Sequence, residues 1–327
     1  MRRVLIAGYG SIGRRHLRNL IDLGVRDIAL LRRSSEPVSD YPQIPVFTDL
    51  SKALERRPNL VLVCNPSAYH LDVALPAARG GCNLFIEKPL SNSWDGVEEL
   101  LSVVSEKRLL AAVGFDLRFD PGLIKVKDLL EDHAIGRVVG IQSQVGQYLP
   151  DWRSSEDYRK GVSARADMGG GVILELIHEL DYVTWLLGPV SEIFCLADKV
   201  SSLVMDTEDI AAMTLRFVSG AIGTLHLDCV QRTASRTCTI IGEEGTLLWD
   251  FVSQKVILLK PGKDSTQEFS YICFQRNERF REEMRHLLAC VDGLEQPKVD
   301  VVAGSRSLKL ALAAKQSART GQVCRLD

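Results

Sequence analysis

The first third of the chain alternates short, continuously apolar runs with stretches in which apolar residues recur every three or four positions. The runs Val4 to Ala7, Ile28 to Leu31, Leu60 to Cys64, Asn83 to Ile86 and Leu110 to Gly114 read as strands. Between them, Ile12 to Leu23, Leu50 to Arg56, Leu71 to Gly80 and Asp95 to Lys107 read as helices. Strands that are apolar throughout and separated by helices predict a parallel sheet covered on both faces. A doubly wound nucleotide-binding domain is therefore expected over residues 1–118.

After about Phe119 the pattern changes. A helix opening at Pro121 leads into a strand from Val138 to Gln147, then an irregular polar and aromatic stretch. One long helix follows from roughly Gly171 to Leu187, stopped by Gly188-Pro189. Strands dominate beyond it: Ile193 to Ala197, Ile210 to Phe217, Ala221 to Cys229, Thr237 to Ile241, Thr246 to Phe251 and Lys255 to Leu259. The alternating Met213, Leu215, Phe217 and Ala221, Gly223, Leu225, Leu227, joined at Ser219-Gly220, predict a half-buried hairpin. Two helices close the chain, near Arg279 to Val291 and Ser305 to Arg319. The expectation for residues 119–327 is an α+β domain on a mainly antiparallel sheet, with the closing helices able to pack back on the first domain.

Composition narrows the function class. The 327 residues include 46% hydrophobic ones, and 40 basic against 42 acidic side chains give a formal charge of −2. That balance offers no footprint for nucleic acid or an anionic membrane, so a small-molecule partner is expected. The eight cysteines are scattered, with no C-x-x-C pair and no His/Cys cluster at metal-ligand spacing, so neither a disulfide framework nor a metal site is expected. A reducing, cytoplasmic setting follows, in keeping with the lack of a signal-type stretch or of the roughly 20 apolar residues that cross a bilayer.

The chemistry-bearing motifs fall where strands end. Gly8-Tyr9-Gly10-Ser11-Ile12-Gly13 places G-x-G-x-x-G between the first strand and the first helix. Gly8 permits a tight turn, Gly10 lets a pyrophosphate approach, Gly13 lets helix pack on strand, and Ser11 and Ile12 open a helix whose amides face an anion. The second strand ends Leu31-Arg32-Arg33-Ser34, with no carboxylate before Glu36. Arginines there suit a 2′-phosphate, which favours NADP(H); if they are only a solvated basic edge, NAD(H) is the alternative. Asn65-Pro66 after the third strand and His70 at the next helix start stand at the sheet's ligand-binding edge as walls of a nicotinamide pocket, or else His70 is a surface or capping residue. Glu87-Lys88-Pro89 follows Leu84-Phe85-Ile86, so Pro89 ends a buried strand and delivers the Lys88 cation to the same edge. A cation there can steady a developing oxyanion; the other reading of Lys88 is a surface lysine before a turn proline.

In the second half, Gly169-Gly170-Gly171 precedes Glu175, His178 and Asp181, whose three-residue spacing predicts one shared helix face among Leu174, Ile177 and Leu180. An imidazole held by a carboxylate is a proton shuttle near neutral pH; a structural Glu-His-Asp cluster is the other reading. A zinc protease is excluded, because His178-Glu179 lacks the second histidine. Tyr148, Trp152, Arg153 and Tyr158 in the irregular stretch suit a polyhydroxylated or anionic ligand, or equally a subunit-contact loop.

Gly8 to Gly13, Asn65-Pro66 to His70, Glu87-Lys88-Pro89, Gly114-Phe115 to Arg118-Phe119, and Gly170-Gly171 to His178 and Asp181 stand in one order along the whole chain. That ordered set resembles the glucose-fructose oxidoreductase, inositol dehydrogenase and MocA-like family. The resemblance implies an N-terminal Rossmann domain, a C-terminal domain with a large open sheet used for homodimers or homotetramers, and NAD(P)-dependent redox chemistry on sugars and cyclitols. It implies Lys88 as catalytic lysine, His178 as acid/base, Glu87 beside the cofactor, Arg118 and Asp181 toward substrate, and a cis Lys88-Pro89 bond. One departure stands out: the family's aspartate four residues before the histidine is here Leu174, with Glu175 three before it. Gly146 to Arg153 with His178 to Asp181 also looks like members associated with bacterial surface sugars. The rival readings are a catalytically silent sugar sensor and an NAD-dependent glycoside hydrolase of the same fold.

Overall fold

The computed structural model describes residues 2–153, 156–262 and 266–326. Its first elements are β1 (Arg3–Ala7), α1 (Ser11–Asp22), β2 (Asp27–Leu31), β3 (Val46–Phe47), α2 (Leu50–Leu54), β4 (Leu60–Val63), α3 (His70–Arg79), β5 (Asn83–Glu87), α4 (Val97–Glu106) and β6 (Ala111–Gly114). All strands pair in parallel, in the order β3-β2-β1-β4-β5-β6. This is the doubly wound Rossmann order, whose topological switch lies between β1 and β4. The apolar runs are buried as predicted: Leu60 to Val63 and Leu84 to Ile86 are at most 1% exposed. The two-residue β3 was not anticipated, because its backbone pairing with Leu30 and Arg32 leaves no periodicity in so short a run.

The chain continues through α5 (Pro121–Glu131), β7 (Val138–Gly146), α6 (Leu149–Trp152), α7 (Val172–Glu175) and α8 (His178–Leu187). Then come β8 (Val190–Asp198), β9 (Ile210–Phe217), β10 (Ile222–Asp228), β11 (Ser235–Gly242), β12 (Thr246–Asp250), β13 (Lys255–Leu259) and β14 (Gln267–Ser270). Helices α9 (Arg276–Val291) and α10 (Val301–Thr320) and the strand β15 (Cys324–Arg325) complete it. The second sheet has nine strands in the order β14-β13-β12-β11-β7-β10-β9-β8-β15, antiparallel at every pairing except β7 with β10. Met213, Leu215, Phe217, Leu225 and Leu227 face the interior as the hairpin pattern required. The edge strands β14 and β15 are short and polar, which hides them from a hydrophobic reading.

Two compact units result. One joins the chain up to Asp116 with Arg276–Leu308; the other joins Leu117–Gln275 with the chain from Lys309 onward. In the first, Met284, Leu287 and Leu288 of α9 complete the core formed by Val4, Ile6, Leu17, Leu20 and Leu62.

The long helix expected from Gly171 to Leu187 is broken. Leu176 leaves the helical region at φ −102° and ψ 28°, and α8 starts afresh at His178. Val172, Ile173, Leu174, Leu176 and Ile177 are all at most 7% exposed. Five apolar residues among six consecutive positions exceed the single stripe a straight helix can bury, and the break turns both sides inward.

In the second unit Asp120 anchors α5 to the sheet. Its Oδ1 accepts from the amides of Gly122 (3.0 Å) and Leu123 (3.1 Å) and from Trp249 Nε1 (3.2 Å) on β12. Asp120→Ala removes the cap and strands three donors, and should lower stability by about 1–3 kcal/mol. Urea unfolding followed by circular dichroism measures it; an unchanged midpoint would show that the cap carries no stability.

Candidate active site

The glycine turn is fixed by contact as well as by conformation. Gly8 has φ +103°, and a Cβ there would sit 2.5 Å from the Asn65 amide nitrogen and the Cys64 carbonyl carbon. A Cβ on Gly13 would lie 2.1 Å from the Gly8 carbonyl oxygen. Gly10, by contrast, caps α1 with open space where its Cβ would be. Bare backbone, an exposed Ser11 and the first amides of α1 together form a cradle that a dinucleotide pyrophosphate fits.

Beside that turn, the guanidiniums of Arg14 and Arg32 lie 5.3 and 5.8 Å from the centre of the Tyr9 ring. Arg32 donates its amide to Phe47, Arg33 is exposed, and Ser34 Oγ accepts from the Glu36 amide at 3.3 Å. Tyr9 and Arg14 were not singled out from sequence because they occupy unconstrained positions in and beside the glycine pattern.

The ends of β4 and β5 are braced together. His70 is 1% exposed, with Nδ1 2.9 Å from the Pro89 carbonyl oxygen and Nε2 2.8 Å from that of Asn65. Burial pulls its pKa below the ordinary histidine value, against the opposing pull of those carbonyls. Asn65 Nδ2 donates to the Tyr69 carbonyl at 2.8 Å, just past Pro66, which precedes a short 3₁₀ turn at Ser67–Tyr69. His70 is therefore neither a surface group nor a helix cap: its ring joins the Asn65-Pro66 turn to the Glu87-Lys88-Pro89 turn. Lys88-Pro89 is cis, and Lys88 is half-buried. Glu87 is 8% exposed, with Oε1 2.5 Å from Nε2 of the fully buried His16.

In the second unit His178 is the first residue of α8 and is 8% exposed. The break at Leu176 overturns the shared-face argument, since the spacing from Glu175 to His178 spans the interruption. Glu175 accepts from Ser163 Oγ at 3.1 Å, and Glu179, which is fully buried, pairs with Arg236 at 2.8 Å. Asp181 is held at both oxygens by Arg118, at 2.6 and 2.9 Å. Arg118 also lies over the Trp185 ring at 4.6 Å. In the irregular stretch, Tyr148 stacks with Arg232 at 3.7 Å and Trp152 Nε1 donates to the Gln147 carbonyl at 2.8 Å. Tyr158 Oη accepts from the Val204 amide at 3.1 Å, and Arg153 is exposed. Arg232 and Arg236 come from the turn after β10 and from β11, remote in sequence from the residues they meet.

Residues 2–115 match the oxidoreductase family with an NAD-binding Rossmann fold, and residues 123–248 match the GFO/IDH/MocA C-terminal domain. The chain belongs to the Gfo/Idh/MocA oxidoreductases. Among its relatives is the myo-inositol 2-dehydrogenase of Thermotoga maritima, 27% identical over 99% of this chain and 98% of that protein. The WlbA dehydrogenase of Bordetella pertussis, solved with NADH and UDP-GlcNAcA, superposes with a TM-score of 0.85 at 20% identity, covering 100% of this chain and 98% of that one. A levoglucosan dehydrogenase solved with NADH gives a TM-score of 0.88 at 16% identity, covering 100% and 99%.

In this Gfo/Idh/MocA oxidoreductase the Arg118–Asp181 pair ties the turn after β6 to α8, with side chains only 10% and 2% exposed. A two-point guanidinium–carboxylate contact fixes both groups in plane. Arg118→Ala would leave Asp181 buried without this partner and should cost about 3–5 kcal/mol, while Arg118→Met with Asp181→Leu should recover most of it. Urea midpoints of the single and double variants check this; a double variant as weak as the single would refute the pairing as the source of the loss.

Proposed function

We propose that this oxidoreductase interconverts a secondary hydroxyl and a ketone on a sugar, cyclitol or sugar derivative, with NADP(H) as the preferred cofactor. The observation that carries the reading is Lys88. It stands at the C-terminal end of β5, in a turn braced by His70, at the sheet edge that also holds the glycine cradle. Bound nicotinamide would supply the hydride acceptor for oxidation and the donor for reduction. In oxidation the His178 imidazole takes the hydroxyl proton, and Lys88 Nζ steadies the negative charge developing on that oxygen; in reduction the proton returns from His178. Glu175 is assigned the role of fixing the tautomer and orientation of the His178 imidazole.

The NADP(H) preference rests on Arg32 and Arg33 just after β2, on Arg14 of α1 beside the same Tyr9 ring as Arg32, and on the lack of a carboxylate after β2 before Glu36. Substrate recognition is assigned to Arg118, Tyr148, Trp152, Arg153, Tyr158 and Asp181, with Arg118 and Asp181 acting as a pair and Arg232 added by its stacking on Tyr148. Inositols and nucleotide sugars, the compounds named for the relatives, are the first to try, the latter in keeping with a role in surface-sugar metabolism. Homodimers or homotetramers would form through the uncovered face of the nine-stranded sheet, where Leu196, Ile222 and Ile241 are 63%, 40% and 36% exposed.

The test is reduced-cofactor absorbance with a panel of inositols, sugars and nucleotide sugars. Lys88→Ala and His178→Asn should each lower turnover about 10²–10⁴-fold with cofactor affinity nearly intact. No absorbance change with any substrate would point to the sensor or hydrolase instead, and unchanged turnover in Lys88→Ala would remove the mechanism. Arg32→Ala with Arg33→Ala should weaken NADP(H) binding about 10- to 100-fold and leave NAD(H) nearly unaffected, by titration calorimetry. Equal loss for both cofactors would refute the 2′-phosphate assignment.

A further inference from the structure

Glu87, the residue before Lys88, belongs to a buried cluster in the first unit. Glu283 of α9 is 4% exposed, and neither of its carboxyl oxygens meets a hydrogen-bond donor among the described residues. One of those oxygens lies within 4.8 Å of both a His16 ring nitrogen and a Glu87 carboxyl oxygen. His16 comes from α1 and Glu87 ends β5, so three separate elements send two carboxyl groups and one imidazole into the same buried space.

Two carboxylates buried side by side are not both ionised without a compensating positive charge. The charged and titratable neighbours that face them are Arg15 and His16 on α1, Cys64 after β4, His70 on α3, Asp116 after β6 and Arg279 on α9, with Arg276 of α9 acting on Arg15. Arg279 is engaged by Asp116, Nε to Oδ2 at 2.9 Å, and Arg15 lies over the Phe280 ring at 4.3 Å. Burial raises Glu283 well above the usual carboxylate range; Glu87 and Asp116 push the same way and Arg279 opposes. A divalent metal is a poor candidate for the positive charge. Ligands at normal metal distances stand roughly 3 Å apart, whereas His16 Nε2 and Glu87 Oε1 are in direct hydrogen-bond contact at 2.5 Å.

We propose that Glu283 is a positioning residue that enters the folded chain as a neutral carboxylic acid and, with His16, holds the Glu87 carboxylate and thereby the turn that presents Lys88. The catalytic half of this inference rests on the oxidoreductase reading above; the protonation half does not. An acid kept neutral by folding contributes stability that is complete below its unfolded pKa, 4.5 for glutamate, and is lost as pH rises toward the folded value. Each pH unit in that window removes roughly tenfold from the folding equilibrium constant.

Glu283→Gln, which keeps the shape and stays neutral, tests the proposal on the full-length protein. The difference in thermal midpoint between variant and wild type should shift steadily in the variant's favour from about pH 5 to about pH 8. A difference that is flat, or that moves against the variant, means that Glu283 is ionised and overturns the proposal. In kinetics, Glu283→Gln should keep kcat within about twofold, while Glu283→Leu should lower kcat about tenfold or more with NADP(H) affinity unchanged. Equal kcat for the Gln and Leu variants would remove the positioning role; if the Leu variant does not fold, loss of kcat in the Gln variant does the same. Stoichiometric divalent metal in the purified wild type that is absent from the Gln variant would also overturn it. Should no substrate be turned over, the functional reading fails while the pH series of thermal midpoints still decides the state of Glu283.

Discussion

Ionisable groups at the rim of a dry sheet have to find a counter-charge or a proton within a few ångströms, since full desolvation of an unmatched charge costs several kcal/mol. The first sheet carries such groups where β5 and β6 run into the ligand-binding edge. Glu87 at the end of β5 meets His16, and Asp116, two residues past β6, meets Arg279 on α9. Arg118, two residues further on, meets Asp181 in the second unit's own interior. Each match joins elements far apart in sequence, so one electrostatic requirement also sets where the strand ends lie.

Backbone contacts finish what the charges begin. Gly8 presses against the peptide between Cys64 and Asn65, and the His70 ring links the carbonyls of Asn65 and Pro89. The turns after β1, β4 and β5 are therefore connected in series, and Lys88 inherits its place from that chain of contacts. A lysine on a free loop would lose its reach to side-chain and backbone entropy; here the backbone share is already spent in folding.

The strands of the Rossmann sheet were legible in the sequence because each is a continuous apolar run with a helix on either side, and Lys88 was legible because its position depends only on the strand before it. The rest needed the third dimension. The partners of Glu87 and Asp116 lie 71 and 163 residues away, beyond any local pattern. The break at Leu176 was not legible, because three-residue spacing implies one face only while a helix runs unbroken, and the excess of buried apolar residues there prevents that. Likewise the stacking of Arg232 on Tyr148 depends on β10 lying parallel to β7, a pairing with no signature in either strand.

One consequence of the chain's path concerns its synthesis. Met284, Leu287 and Leu288 of α9 belong to the same core as Val4, Ile6 and Leu17. The strands made before α9 must therefore wait for it, their apolar floor open to water while the roughly 280 residues that separate Val4 from Met284 are translated. Nascent chains of this kind cannot fold strictly from front to back, and their exposure to chaperones is set by the time needed to translate the intervening sheet.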